Sequence, residues 1–227
     1  MASAETVAYL DTLLSNAPAG LVFVDRDFRD LRVNERVAAA AEARDPYTAG
    51  HQQRVAELSV AIAHELGVDQ IDIDGIRMAA RIHDIGKLST PSEILTKPGA
   101  PRPSEIALVR EHAQAGYEII RGIVFPWPVA DMILQHHERL DGTGYPNGLH
   151  GDEILLGARI IAVADVVEAM SSHRAYRPSK GLDAALAMID EDQGRQFDPE
   201  VVAVCVRIFR GGRFMFALQE DDQLDRD

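Results

Sequence analysis

From Ala38 onward, apolar residues return at steps of three and four, and this periodicity restricts the chain to packed helices. It runs through segments 36–66, 71–85, 103–121, 127–137, 155–171, 180–192 and 199–209. Loops rich in Pro and Gly, such as KPGAPRPS, VFPWP and DGTGYPNGLHG, separate the segments, because those residues end helices. The expected fold class is all-α, a bundle of about seven helices over residues 36–210 that bury their apolar faces on one another. Residues 1–35 read differently: AETVAYLDTLLSNA is helix-like, and GLVFVDRDFRDLRVN reads as two short strands about a DRD turn. They are expected to form a small helix and β-hairpin extension. Residues 211–227, which include QEDDQLDRD, read as an acidic, solvated tail.

The 227 residues are 46% apolar and 26% charged, ordinary for a globular protein. No apolar run reaches membrane-spanning length, and MASAETVAYLDTLLS carries no basic region ahead of an apolar one, so a cytoplasmic location is expected. The net charge of −13 argues against a broad surface for polymeric nucleic acid, though not against a small anion held by a local cluster of cations. The single cysteine, Cys205, lies in the apolar run VVAVCVRIF and reads as core.

The helices carry an unusual cargo on their apolar sides. His51 shares a face with Val55, Leu58 and Ile62, and His112 with Leu108, Val109 and Gly116. His136 and His137 follow Val129 and Ile133, and Asp165 sits with Ala158, Ile161 and Ala169. In AARIHDIGK, His83 and Lys87 continue the face of Ile76 and Ala80, with Asp84 beside them. Any one of these histidines reads most simply as a core side chain bonded to a carbonyl. Together they would need separate partners inside one small core, which is costly. A shared metal centre removes that difficulty. Imidazoles and carboxylates are ligands for Zn, Fe or Mn, and a carboxylate can bridge two ions. The set suits two ions about 3.5–4 Å apart. His64 lies off the His51 face and reads as surface, and His150 and His173 sit in or beside loops.

The blocks RDPYTAGHQQRVAEL, AARIHDIGK, ILTKPG, HHERLDGTGYPNGLHG and ARIIAVADVVEAMSSHRAYRP, in this order from about Glu42 to Asp198, resemble the HD-GYP domain, a branch of the HD phosphohydrolases. The resemblance implies a helical domain with a centre of two or three metals, usually iron or manganese, that hydrolyses cyclic di-GMP. Zn, Ni or Mg would be alternatives on isolation. It makes His51, His83, Asp84, His112, His136, His137 and Asp165 the metal ligands, with Asp84 as the bridge. It places Lys87 by the attacking water and a phosphate oxygen, so that Asp84 and Lys87 are the candidate catalytic pair. Arg174 and Arg177 match positions that contact substrate phosphates. Gly144, Tyr145 and Pro146 form the signature loop beside the site, which in some members also meets GGDEF-type diguanylate cyclases. Two positions depart from the pattern. Tyr47 stands where three-metal members carry glutamate, which implies two metals here. Glu168 stands for the family's aspartate, keeps its charge, and is expected to change little, while Val167 and Met170 reduce the bulk behind Asp165. The stretch NAPAGLVFVD resembles the opening of a PAS sensor domain, too short here to complete a pocket.

The chemistry this implies is hydrolysis of a phosphodiester by a water that two cations convert to hydroxide near neutral pH. Lys87 would add a compact positive charge, and Arg174 and Arg177 can fork onto phosphate oxygens as lysine cannot. Tyr145 and Tyr176 are candidates to stack on guanine, the packed reading weighing more for Tyr176. Asp141, just after the ligand pair, is a candidate to orient an imidazole. Products would be linear pGpG, with GMP as the further step. Two alternatives remain: another HD-class hydrolase of nucleotides or of a different cyclic dinucleotide, and a non-catalytic receptor or docking module. The N-terminal helix is a candidate for pairing two subunits.

Overall fold

The computed structural model describes residues 50–97, 99–100, 102–172 and 180–216. The N-terminal extension, Tyr47, the segment with His173, Arg174, Tyr176 and Arg177, and the end of the acidic tail lie outside these residues. Among them the chain is helical, with only isolated bridges at Asp141–His150 and Gln193–Phe197 in place of strands. The helices are α1 (His51–Glu65), α2 (Gln70–Ile82), α3 (Ser92–Leu95), α4 (Pro103–Arg110), α5 (His112–Ile120), α6 (Val129–Gln135), α7 (Leu156–Ser171), α8 (Leu182–Glu191) and α9 (Pro199–Arg210). No helix of the described residues is long and apolar enough to cross a membrane.

The centre of the bundle is α7. It touches α1, α2, α6, α8 and α9, and its sequence LGARIIAVADVVEAM is apolar on nearly every side, as a helix enclosed by neighbours must be. Ile160, Ile161, Val163 and Val167 are fully enclosed. Val55, Leu58 and Ile62 of α1 and Ile73, Ile76 and Ala80 of α2 complete the core on one side. Helix α9 closes the other with Val201, Val202 and Cys205. Its start is well specified: Asp198 accepts hydrogen bonds from the backbone N–H of Glu200 and Val201, and Pro199 occupies the first helical position. Beyond α9, Phe214 and Phe216 turn back onto Phe209, and Arg213 pairs with Glu65, so the start of the tail is docked.

Two expected helices differ in ways that shape the site. The segment 71–85 ends its α-helix at Ile82, and the chain tightens into a 3-10 turn over Ile85–Ser89. His83, Asp84 and Lys87 therefore sit at a helix end and on a turn, not along one continuous face. Gly86 explains the turn. A Cβ there would stand 1.9 Å from the carbonyl oxygen of His112 and 2.5 Å from the amide nitrogen of Gly116, so only glycine lets this turn lie against α5. The segment 103–121 is likewise two helices, α4 and α5, which meet at Glu111. The bend separates His112 from the α4 face expected to accompany it: Leu108 is 42% exposed, whereas His112 is buried.

Candidate metal centre

Helix ends and turns, not helix middles, deliver most of the polar groups. His51 is the first residue of α1, after Gly50 in a left-handed conformation. His83 and Asp84 end α2, His112 opens α5, His136 and His137 follow α6, and Asp165 projects from mid-α7. The ligand atoms of His51, His83 and Asp84 all lie within 4.8 Å of one another, as do those of His112, His136 and His137. Asp84 joins the two groups. Its Oδ2 is 3.6 Å from Nε2 of His83 and 4.0 Å from Nε2 of His51, while its Oδ1 is 3.4 Å from Nε2 of His112. The Nε2 atoms of His112 and His136 are 3.3 Å apart. Asp165 approaches from α7, its Oδ1 3.2 Å from Nε2 of His51 and 3.9 Å from Nε2 of His83.

The far sides of the rings decide what the near sides can do. Nδ1 of His83 donates to the carbonyl of Ala80 at 2.7 Å, Nδ1 of His112 to Val109 at 2.6 Å, and Nδ1 of His136 to Ile133 at 2.6 Å. Each bond puts the proton on Nδ1 and leaves a lone pair on Nε2, directed inward. Nδ1 of His51 donates to Glu168 instead. Nε2 of His83 is buried with no hydrogen-bond partner, an orphan that ordinary packing would not retain. A divalent cation fits this donor set: inward lone pairs, oriented rings and a carboxylate shared between two clusters.

The electrostatics agree. Burial holds His112 and His137 below the usual imidazole range and His136 down at about 3, so these rings are neutral at pH 7, the state a metal needs. Burial alone would raise Asp84, but Lys87 and the surrounding imidazoles hold it well below the carboxylate range. Asp165 is also held low, against its burial, chiefly by His51. His51 is the exception. Burial opposes its charge, yet the hydrogen bonds to Asp165 and Glu168 raise it to about 9. Without metal, an imidazolium at His51 bridges two carboxylates.

Lys87 donates to Oδ2 of Asp84 at 2.7 Å, which puts its charge at the junction of the two clusters. Tyr145 stacks on His137, with ring centres 4.7 Å apart, and the guanidinium of Arg110 lies 5.1 Å from the Tyr145 ring centre. The loop that carries Tyr145 is held from below. Buried Glu138 accepts the backbone N–H of Asn147 and of Leu149, and a Cβ on Gly144 would fall 2.4 Å from the backbone of Glu138 and Arg139. Asp141 lies elsewhere than expected. Its carboxylate accepts from Thr143 and approaches Arg195, so it stabilises the turn, and among the described residues it hydrogen-bonds no imidazole. A carboxylate that does hold the outer nitrogen of an imidazole is Glu168, at His51. The signal for it lay in the sequence, as a second acid three residues after Asp165 on an otherwise apolar helix, where the two share a face. Among the loop histidines, the ring of His150 lies beside Gly142. His64 is exposed.

A family model described as HD domain matches residues 35–201. The cyclic di-GMP phosphodiesterase response regulator RpfG of Xanthomonas campestris is 40% identical over 181 residues, covering 79% of this chain and 48% of that protein. The 3'3'-cGAMP-specific phosphodiesterase 3 of Vibrio cholerae is 43% identical over 162 residues, covering 71% of this chain and 35% of that protein. The chain thus spans half or less of the length of these curated relatives. The solved structure of Bd1817, described as an HDG"Y"P protein from Bdellovibrio bacteriovorus, superposes with a TM-score of 0.60 at 16% identity, covering 90% of this chain and 79% of that one.

Proposed function

Because the chain belongs to the HD domain family, we propose that it is a metal-dependent phosphodiesterase of the HD-GYP branch that opens cyclic di-GMP to linear pGpG, with GMP as a further product. The observation that carries this reading is the junction at Asp84, whose two oxygens face two separate histidine clusters. His51, His83, Asp84 and Asp165 would hold one divalent ion, and Asp84, His112, His136 and His137 the other, with iron or manganese as the expected metals. When bound, the ions would supply Lewis acidity toward the phosphodiester and its attacking water.

The chain's own residues do the rest. Asp84 stays ionised because Lys87 and the imidazoles favour its charged form. Lys87 keeps a compact cation beside that junction, where a non-bridging phosphate oxygen would gain negative charge in the transition state. Tyr145 stacks on one ring of the centre, that of His137. Arg174 and Arg177, outside the described residues, are the candidate clamps for the substrate phosphates. The loop of Gly144, Tyr145 and Pro146 is the surface we assign to diguanylate cyclase contact, and the cytoplasm is the expected location.

A second reading is favoured by the 43% identity to a cGAMP-specific enzyme: the substrate would be a mixed purine cyclic dinucleotide. Manganese-loaded protein offered cyclic di-GMP, 3'3'-cGAMP, cyclic di-AMP and a phosphomonoester separates the readings. Preferred turnover of cyclic di-GMP supports the first, and preferred turnover of cGAMP selects the second. Turnover of the monoester alone rejects both.

A further inference from the structure

The imidazoles of the centre are oriented by two different means. His83, His112 and His136 each bond a carbonyl only three residues back in the chain, a contact that no distant side chain supplies. His51 depends on Glu168, 117 positions away. Glu168 is 1% exposed, and its second oxygen is fully engaged: Oε1 accepts Nε of Arg54 at 2.7 Å, an Nη of the same guanidinium at 2.6 Å, and Oγ of Ser172 at 2.7 Å. A carboxylate so deeply buried is retained only with such partners. From this asymmetry we infer that Glu168, clamped by Arg54, is a positioning residue that sets the affinity of one metal position alone, the one formed by His51, His83, Asp84 and Asp165. The inference rests on the two-metal reading above.

The physical reason is local. A carboxylate behind an imidazole fixes its tautomer and strengthens the lone pair on the opposite nitrogen. The guanidinium fork fixes Oε1 in place, so Oε2 stays aimed at His51. Four donor atoms from three residues converge on Glu168, and a glutamine would meet them with one acceptor oxygen and an added NH2. The other position has no such dependence. His112 and His136 are held by carbonyls and His137 by the Tyr145 ring.

The test is calorimetric titration of the metal-free full chain with Mn2+, for wild type, Glu168→Gln and Arg54→Gln. Wild type takes up two equivalents. Glu168→Gln binds one of them about 10–100-fold more weakly and the other unchanged. Arg54→Gln weakens the same equivalent by a smaller factor, and it carries the test alone if metal-free Glu168→Gln does not fold by circular dichroism. Equal weakening of both equivalents, or of neither, overturns the inference while the two-metal reading stands. Uptake of fewer than two equivalents by wild type overturns both.

Discussion

At the scale of single residues, a buried histidine is ready for a metal when its outer nitrogen is bonded and its inner one is not. His83 shows this most sharply, with Nδ1 on Ala80 and Nε2 without a partner. Replacing His83 or Asp84 by alanine is expected to lower kcat by more than about 100-fold, beyond the loss for a supporting residue. Steady-state assays of metal-loaded variants check this, with circular dichroism to confirm the helices. His51 makes a second prediction. Its imidazolium, at about 9, must surrender the Nε2 proton when a metal binds, so close to one proton is released from this group at pH 7. Calorimetry in buffers of different ionisation enthalpy reads that number directly, and no release would contradict it. Cys205 is a control, since burial pushes its thiol up to about 12 and an alkylating agent at pH 8 should label it only after unfolding. The ligand types were legible in the sequence because polar groups on apolar faces are expensive. The supporting groups were less so: Asp141 is nearer in sequence to the histidines, but Glu168 reaches His51 through the fold.

At the scale of elements, the segments carrying the apolar periodicity were legible, and their interruptions were not. Apolar spacing passes through Glu111 without a break, so α4 and α5 read as one helix. The bend follows from tertiary packing that brings the start of α5 onto the 3-10 turn. The same applies after Ile82, where Gly86 permits a contact that the sequence pattern alone does not reveal. Gly86→Ala is therefore expected to cost about 3 kcal/mol or more, the upper range for overpacking, because the obstacle is backbone and cannot rotate away. Thermal melting should fall by several degrees, and an unchanged melting temperature would show that the turn does not press on α5 as described. Metal affinity should weaken too, since His83 and His112 flank this contact.

At the scale of the whole molecule, the centre ties the stability of the fold to protons and metal together. In the metal-free chain, His136 is held at about 3 against 6.5 when unfolded, and burial lowers His112 and His137 as well. Below pH 6.5 the unfolded state therefore binds more protons, and stability falls as pH drops toward 3. Asp84 and Asp165, depressed in the fold, add to that acid-side loss. His51 works in the opposite sense. Raised to about 9, it stabilises fully below 6.5, and that contribution is lost as pH rises through 9. Melting of the metal-free protein should peak near pH 6.5 and decline on both sides, and saturating metal should remove the alkaline decline by displacing the His51 proton. The most direct single measurement is hydrolysis of cyclic di-GMP as metal-free protein is reconstituted with Mn2+ one equivalent at a time. Two clusters joined by Asp84 predict little turnover up to the first equivalent and a steep rise between the first and second. Turnover that is complete at one equivalent, or that proceeds with none, would contradict a shared two-metal centre.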